Sequence, residues 1–409
     1  MTVIAQETTA APGVPINILE ALLRNQLADP TAMIIDHIST RLVHHGTNDS
    51  NTFYRVTLRW ARRNSALDSY ASTWIIKHWK AGGVRDSALG ITQPREVLAW
   101  ELGWLRPDAL PDGITVPFIG AWRAPDNTET WLAMADVSAE LAAYARMGLS
   151  SEQVISRAKA ILARLAQFHT LWEQPERQAE LQAYPWLRHP EGYAWELSPL
   201  ERPSADLDAF LAGRPADERR LWEHLLLGRR ALVKSLAGYP QTLLHNDLDD
   251  RNIGLRWPGG GAVAGAAALG RRDLVLIDWE WIALGPAAID VARIIQFLPV
   301  MLAPGSPIPE AFWSNELADY YYAHYRAAGG RCVDAARWRR SYGLALVAQA
   351  LVQMPFTHGA MRRAIRGDIP PPQIVGVPEA VIRQNLRAGL PMMEQMEQLV
   401  IREARRWLR

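Results

Sequence analysis

Hydrophobic and polar positions sort the chain into stretches of different period. Residues 1 to about 13 are small and polar and read as a disordered leader, and Ile16 to Leu27 then carries apolar residues at helical spacing. From Ser39 to Lys80 the period shortens. β-Branched and aromatic runs at Thr40 to Val43, Thr52 to Leu58 and Ser72 to Lys77 alternate with clusters of Gly, Asn, Asp and Ser, the pattern of a three-stranded antiparallel meander. Pro94 to Leu105 returns to helical spacing through Val97, Leu98, Trp100 and Leu105, and strand-like runs follow at Thr115 to Trp122 and Thr130 to Met134. Five strands with one helix after the third are therefore expected before about residue 135.

Beyond Ala135 the pattern predicts helices over Ser151 to Trp172, Ala216 to Leu236, Pro309 to Ala328, Cys332 to Gln353 and Glu379 to Leu408. One β-rich island, Thr242 to Arg256 with Leu274 to Trp281, interrupts them, and the Gly and Ala stretch from Gly259 to Gly270 reads as a loop between its halves. This organisation predicts an α+β fold: a leader and N-terminal helix over residues 1–30, a β-rich region over 31–135, and a larger, mainly helical region over 136–409.

Charge and cysteine content narrow the function classes. With 44 Lys plus Arg against 43 Asp plus Glu, the chain has no overall field for holding a polyanion, so neither nucleic acid nor a membrane surface is an expected partner. The single Cys332 excludes a disulfide framework and a cysteine-built zinc site, and it fits a reducing compartment. No run approaches the roughly 18 to 20 apolar residues of a membrane span. The start, MTVIAQETTAAPGVP, lacks a charged segment followed by an apolar one, so a cytoplasmic location is expected. Only four lysines occur, Lys77, Lys80, Lys159 and Lys234, which makes any lysine-requiring chemistry easy to locate.

The candidate chemistry lies in the island. His245-Asn246-Asp247-Leu248-Asp249-Asp250-Arg251-Asn252 has the spacing H-x-D-x-x-x-x-N, and Asp278 follows in Leu276-Ile277-Asp278-Trp279-Glu280. Phosphoryl transfer from a nucleotide needs a carboxylate to orient and deprotonate the acceptor hydroxyl, oxygen ligands for Mg2+ and a cation on the phosphates. Asp247, Asn252, Asp278 and Lys77 can supply these parts. An amide and a carboxylate make a hard oxygen set suited to Mg2+, which keeps waters and takes further ligands from phosphate.

In this order the motifs resemble those of the aminoglycoside phosphotransferase and choline kinase family of the protein-kinase-like fold. Leu243 to Leu248 resembles the family's catalytic loop, Ile277-Asp278-Trp279-Glu280 its metal-binding motif, and Gly285-Pro286-Ala287-Ala288-Ile289-Asp290-Val291-Ala292 its G-x-P-x-x-D-L-A segment. Upstream, Gly46 to Val56 resembles the phosphate loop and its strand, Ile75-Ile76-Lys77 the lysine strand, Arg95-Glu96 the start of the helix that holds the lysine's partner, and Trp131 to Val137 the linker between lobes.

The resemblance implies a two-lobed protein-kinase-like fold and an ATP-dependent, Mg2+-dependent kinase whose partner is a small-molecule hydroxyl acceptor. Asp247 would be the catalytic base, and Asn252 and Asp278 the metal ligands. Gly46, Thr47, Asn48, Ser50, Lys77, Glu96, Met134 and Asp136 would meet the nucleotide. Lys80 remains a rival of Lys77, and Glu101 a rival of Glu96. Asp249 stands where protein kinases commonly carry a lysine, which argues for a small-molecule kinase.

Other residues take plainer readings. His245 is expected to brace the loop from beneath, Asp290 to cap a helix or brace the loop, and Glu280 to form an ion pair rather than bind a second metal. His44 and His45, adjacent on a strand, face opposite sides and cannot share one ion. Trp172, Glu173, Tyr184, Trp186, Glu191, Tyr193, Trp195 and Glu196 could line an acceptor pocket or simply fill the core. Residues 355 to 409 hold nine arginines against five carboxylates, which leans toward a neutral or anionic acceptor if that tail borders the pocket. Two other readings stay open: a metal-dependent phosphohydrolase using Asp247, Asp249, Asp250 and Asp278, and a nucleotide-binding module without turnover.

Overall fold

The computed structural model describes residues 13–42, 51–62, 69–80, 94–142, 148–187, 204–256, 273–303, 305–332, 334–371 and 378–407. In chain order the elements begin with α1 (Ile16–Leu27), β1 (Ala32–Leu42), β2 (Asn51–Arg62), β3 (Ser69–Lys80), α2 (Arg95–Glu101), β4 (Ile114–Thr115), β5 (Phe118–Arg123), β6 (Glu129–Ala135) and α3 (Ser138–Ala142). They continue with α4 (Ser151–Trp172), α5 (Pro175–Gln182), α6 (Ala205–Leu211), α7 (Ala216–Leu236), β7 (Thr242–Leu244), β8 (Ile253–Arg256), β9 (Asp273–Leu276) and β10 (Ala283–Gly285). The last are α8 (Ala288–Phe297), α9 (Glu316–Ala327), α10 (Ala335–Arg366) and α11 (Glu379–Trp407). The architecture is α+β. Its contacts divide it into two units, one of Met1–Ala145 with Ile253–Glu280, the other of Arg146–Asn252 with Trp281–Arg409.

The first unit is built on an antiparallel sheet of order β1-β2-β3-β6-β5. Alternation along its strands decides what each face does. Val56 and Leu58 of β2, Trp74 and Ile76 of β3, and Trp131 and Ala133 of β6 join Ile18, Leu19, Leu22 and Leu23 of α1 in one apolar core. Lys77, one residue after Ile76, is turned by that alternation to the opposite face, where it meets Glu96 of α2. A second small sheet sets β9 between β4, which it pairs in parallel, and β8, which it pairs antiparallel. The run Thr115 to Trp122, expected as one strand, is thus two. Pro117 has no N–H to give a ladder, and the chain changes sheets there.

In the second unit α4 opens with a reciprocal capping box: Ser150 Oγ accepts from Gln153 N at 3.2 Å, and Gln153 Oε1 accepts from Ser150 N at 2.9 Å. Its buried stripe runs through Val154, Ala158, Ile161, Leu165, Phe168, His169 and Trp172. The bounds of α4 and α7 coincide with the sequence expectation. The run Pro309 to Ala328 does not form one helix, because Asn315 at φ 64° separates a 3-10 turn, Glu310–Phe312, from α9. Helix α10 begins later than expected, capped by Asp334, whose carboxylate accepts from Ala336 N at 2.8 Å. It then continues past Gln353 and through Pro355 to a left-handed Gly367 at φ 90°. Elements α3, α5, α6 and β10, of 5, 8, 7 and 3 residues, are too short to announce themselves by period.

The arginine-rich tail is largely tied to internal partners. Glu397 of α11, only 2% exposed, meets Arg214 at 2.6 Å, His358 Nδ1 at 2.7 Å and Arg362 at 3.1 Å. Arg363 pairs with Asp206 at 2.7 Å, and Arg405 with Asp217 at 2.8 Å. These arginines join α11 and α10 to α6 and α7, so the tail's excess charge is weak support for an anionic acceptor. No helix among the described residues is long and apolar enough to cross a membrane.

Backbone approach is closest where α10 meets the start of α6: a Cβ on Gly359 would fall well inside contact distance of the Asp206 carbonyl oxygen. Because the obstacle is backbone, it cannot rotate away. Gly359→Ala is expected to destabilise the second unit by about 3 kcal/mol, the upper range for overpacking, read as a shift in its urea midpoint.

Candidate functional site

Each unit carries one cluster of the residues that the motifs single out. In the first unit Lys77 is 3% exposed, and its Nζ lies 2.7 Å from Glu96 Oε1, 3.0 Å from Asp278 Oδ1 and 3.3 Å from Glu280 Oε2. Its N–H groups donate to Asp278 and Glu280, and Glu96 faces it as the nearest ion-pair partner. The rings of Phe53 and Trp79 stand 5.7 Å from the same nitrogen. Burial works against the ammonium, but Asp278, Glu96 and Glu280 outweigh it and hold the Lys77 pKa well above the ordinary lysine value. The Glu96 carboxyl is pushed up to about 7 by burial, with Lys77 pulling it down and Asp278 and Glu280 adding to the rise.

The two rivals fall elsewhere. Lys80 is exposed at the end of β3, and Glu101 pairs with Arg123. Asp278 follows the β8-β9 hairpin and sits at φ 61°, a left-handed conformation that Asp tolerates better than most residues. Glu280, two residues on, takes the ion-pair role expected of it.

In the second unit the H-x-D-x-x-x-x-N loop leaves β7 and is held from α8. Asp290, fully buried, accepts from His245 N at 2.9 Å through Oδ2 and from Asn246 N at 2.8 Å through Oδ1. The capping reading of Asp290 is corrected: Ala287 holds the cap position, and Asp290 lies in the first turn of α8. His169 of α4 brings Nε2 to 3.2 Å from Asp290 Oδ2 and Nδ1 to 2.8 Å from the Tyr321 hydroxyl of α9. Asn246 is set at φ 65°, and Asp247 N lies 3.3 Å from His245 Nδ1. His245 itself is fully buried beneath the loop.

Asp247 is gripped from two sides. Asn252 Nδ2 donates to its Oδ2 and to its main-chain carbonyl, both at 2.9 Å, and Arg293 of α8 pairs with Oδ1. Asp249 is buried and turned inward, accepting from Arg251 N at 2.9 Å and Nε at 3.0 Å. Burial opposes the Arg251 cation, yet Asp249, Asp247 and Asp250 raise its pKa further. Sequence reasoning missed Arg293, His169 and Tyr321. Only Arg293 left a signal, as the one charged residue in the apolar run Val291 to Leu298.

The remaining expected residues are placed as follows. Met134 is buried in β6 opposite Ile75. The Asp136 carboxylate is committed to Arg55 Nε at 2.9 Å and Ser138 N at 3.0 Å. Trp172 and Glu173 are buried; Glu173 takes the Tyr325 hydroxyl and Arg331 N at 2.9 Å and lines a small cavity with Tyr239, Pro286 and Cys332. Tyr184 and Trp186 stand 6.1 Å apart, partly exposed. Gly46, Thr47, Asn48, Ser50, His44, His45, Glu191, Tyr193, Trp195, Glu196 and the Gly259 to Gly270 stretch lie outside the described residues.

Among the described residues no three His, Cys, Asp or Glu side chains gather as a metal-binding group. Magnesium asks for less, one or two carboxylate or amide oxygens completed by water and phosphate. In the first unit Asp278 keeps a partly exposed carboxylate of the kind that fits it; in the second, Asn252 carries an amide of the kind that fits it, its Nδ2 donating to Asp247. Three carboxylates around one ammonium also leave the Lys77 cluster negative, a field that favours a cation.

No family model matches the chain, and no curated protein matches it. Among solved structures it is similar to amicoumacin kinase hAmiN in complex with AMP-PNP, Ca2+ and Ami, at 13% identity over 86% of this chain and 87% of that one, TM-score 0.47. It is also similar to an ethanolamine kinase of Plasmodium vivax (12% identity, 91% and 85% covered, TM-score 0.43) and to choline kinase LicA from Streptococcus pneumoniae (13%, 91% and 99%, TM-score 0.40). With identity below 25% and TM-scores below 0.5, these are likenesses and carry no residue's role.

A raised carboxyl pKa in the folded state stabilises below the unfolded value and loses that contribution as pH rises through the folded one. For Glu96 the window runs from the ordinary 4.5 to about 7. Lys77 stays charged throughout it and adds no slope. Wild type is therefore expected to lose stability in the first unit across this window, and Glu96→Gln to flatten the loss. Urea midpoints measured against pH without nucleotide check this, and identical slopes for the two proteins would contradict it.

Proposed function

We propose that this chain is an ATP-dependent phosphotransferase that moves the γ-phosphate to a hydroxyl of a small molecule. The observation that carries the reading is Asp247, a carboxylate on a loop leaving a short strand, oriented by an amide and a guanidinium and braced from beneath by a buried aspartate. Two groups on one carboxylate, on a loop whose main chain is pinned by a buried aspartate, is costly as packing alone, and it is what in-line attack by a hydroxyl requires of its orienting base.

The other roles follow from the chemistry of each group. Lys77, kept charged by its carboxylates and oriented by Glu96, is suited to the nucleotide's phosphates. Asn252 and Asp278 would be the magnesium ligands, and the ion would supply neutralisation of the charge on the phosphates. Asp247 would accept a hydrogen bond from the acceptor hydroxyl and take its proton as the bond to phosphorus forms. Asp249, which a multi-metal hydrolase would use as a ligand, is instead engaged by Arg251 through its main-chain N and its Nε, and this favours transfer over hydrolysis.

ADP release from Mg·ATP, read across aminoglycosides, amino alcohols, sugars and nucleosides, tests the reading. One acceptor class is expected to raise the rate, and Asp247→Asn to lower kcat by roughly 100- to 10,000-fold while nucleotide still binds. Phosphate release that no acceptor changes would support a hydrolase. Nucleotide binding with no ADP from any acceptor would support a silent binding module.

A further inference from the structure

Arg293 is a buried cation that the proposed reaction does not by itself require. It lies on α8, one turn after Asp290, and is 6% exposed. Its Nη2 pairs with Asp247 Oδ1, its guanidinium stands 4.3 Å from the centroid of the Phe297 ring, and its Nε is buried with no hydrogen-bond partner among the described residues. A guanidinium this deep could have been left out of the fold, since an apolar side chain of similar volume often serves stability as well or better. What an apolar side chain cannot do is hold a carboxylate oxygen.

From this geometry we infer that Arg293 is a positioning residue for Asp247, fixing the plane of its carboxylate toward the acceptor hydroxyl. The inference rests on the phosphotransferase reading. Each carboxylate oxygen accepts up to two hydrogen bonds. Arg293 holds Oδ1 and Asn252 holds Oδ2, so the carboxylate is restrained at both oxygens.

The two grips differ in what else they do. Asn252 lies on the same loop, five residues on, and it moves whenever the loop moves. Arg293 reaches Asp247 from the helix whose first turn holds the loop's main chain through Asp290, so backbone and side chain are referenced to one rigid element. Of the other groups near the loop, Arg251 feels the Asp247 charge but gives its hydrogen bonds to Asp249, and His245 meets the Asp247 amide. Within α8 the phenyl ring of Phe297, one turn on from Arg293, supports the guanidinium face, a geometry that a lysine ammonium on its flexible stem would not reproduce.

Full-length Arg293→Gln, Arg293→Lys and Arg293→Gly, with wild type and Asp247→Asn, test this. With the acceptor found in the panel above, Arg293→Gln is expected to lower kcat about 10- to 100-fold. The KM for Mg·ATP should stay within about twofold, because the interaction lost is one with the base and not with nucleotide. Arg293→Lys is expected to recover only part of the rate, and millimolar guanidinium chloride to revive Arg293→Gly where equal sodium chloride does not. A kcat for Arg293→Gln within about twofold of wild type would overturn the inference, as would a failure of guanidinium to revive a folded Arg293→Gly.

A second measurement stands apart from turnover. Crystal structures of wild type and Arg293→Gln should show the Asp247 carboxylate rotated in the variant while Asp290 still holds the loop's main chain. An Asp247 rotamer unchanged by the substitution refutes the positioning role. Absence of acceptor-dependent ADP in wild type refutes the phosphotransferase reading instead, and the carboxylate's orientation still decides the role of Arg293.

Discussion

The carboxylate of Asp290 is the constraint on which the second unit's chemistry depends. It has no contact with solvent, it lies in the first turn of α8, where the helix dipole favours an anion, and it accepts from two consecutive main-chain N–H groups. A buried charge without such partners would be expensive, and main-chain donors left without an acceptor would be expensive as well. Satisfying both together fixes His245 and Asn246, puts Asn246 at φ 65°, and so decides where Asp247 leaves the loop. His169 and Tyr321 extend the network into α4 and α9, so helices distant in sequence hold one short turn in place.

The two clusters solve opposite electrostatic problems. Around Lys77 there is an excess of carboxylate, and the surplus is relieved by raising the Glu96 pKa toward about 7 while Asp278 remains partly exposed. Such a group can take a cation with little rearrangement. Around Asp247 the charges are matched, Arg293 against Asp247 and Arg251 against Asp249. Paired charge holds geometry, which suits the orienting role that the proposed transfer gives Asp247.

Much of this was legible in the sequence because it depends on local order. Alternation placed Ile76 and Lys77 on opposite faces of a strand, and the helical period located α4 and α7 to the residue. The spacing of Asp247 and Asn252 allowed a side-chain contact across five residues, and the structure has one. Pro117 and Asn315 were harder to weigh. A proline can end a strand or merely kink it, and a left-handed asparagine is chosen by its surroundings rather than announced by its neighbours. Contacts such as His169 to Asp290 were out of reach, because a histidine in a helical run reads the same whether it meets solvent or a buried carboxylate 121 residues away. The commitment of Asp136 to Arg55 was hidden for the same reason.

Arg293 raises a trade-off that the geometry resolves in one direction. A guanidinium beside a carboxylate favours its charged form and so makes it a poorer acceptor of protons. If proton abstraction limited the reaction, Arg293 would be a handicap, and an apolar neighbour that raised basicity would serve better. Phosphoryl transfer through a loose transition state asks little of the base until late, since bond formation to the incoming oxygen lags behind departure of the leaving group. What it asks throughout is that the hydroxyl stay in line with the breaking bond. In the proposed transfer, a carboxylate clamped on both oxygens, from its own loop and from α8, would serve that alignment.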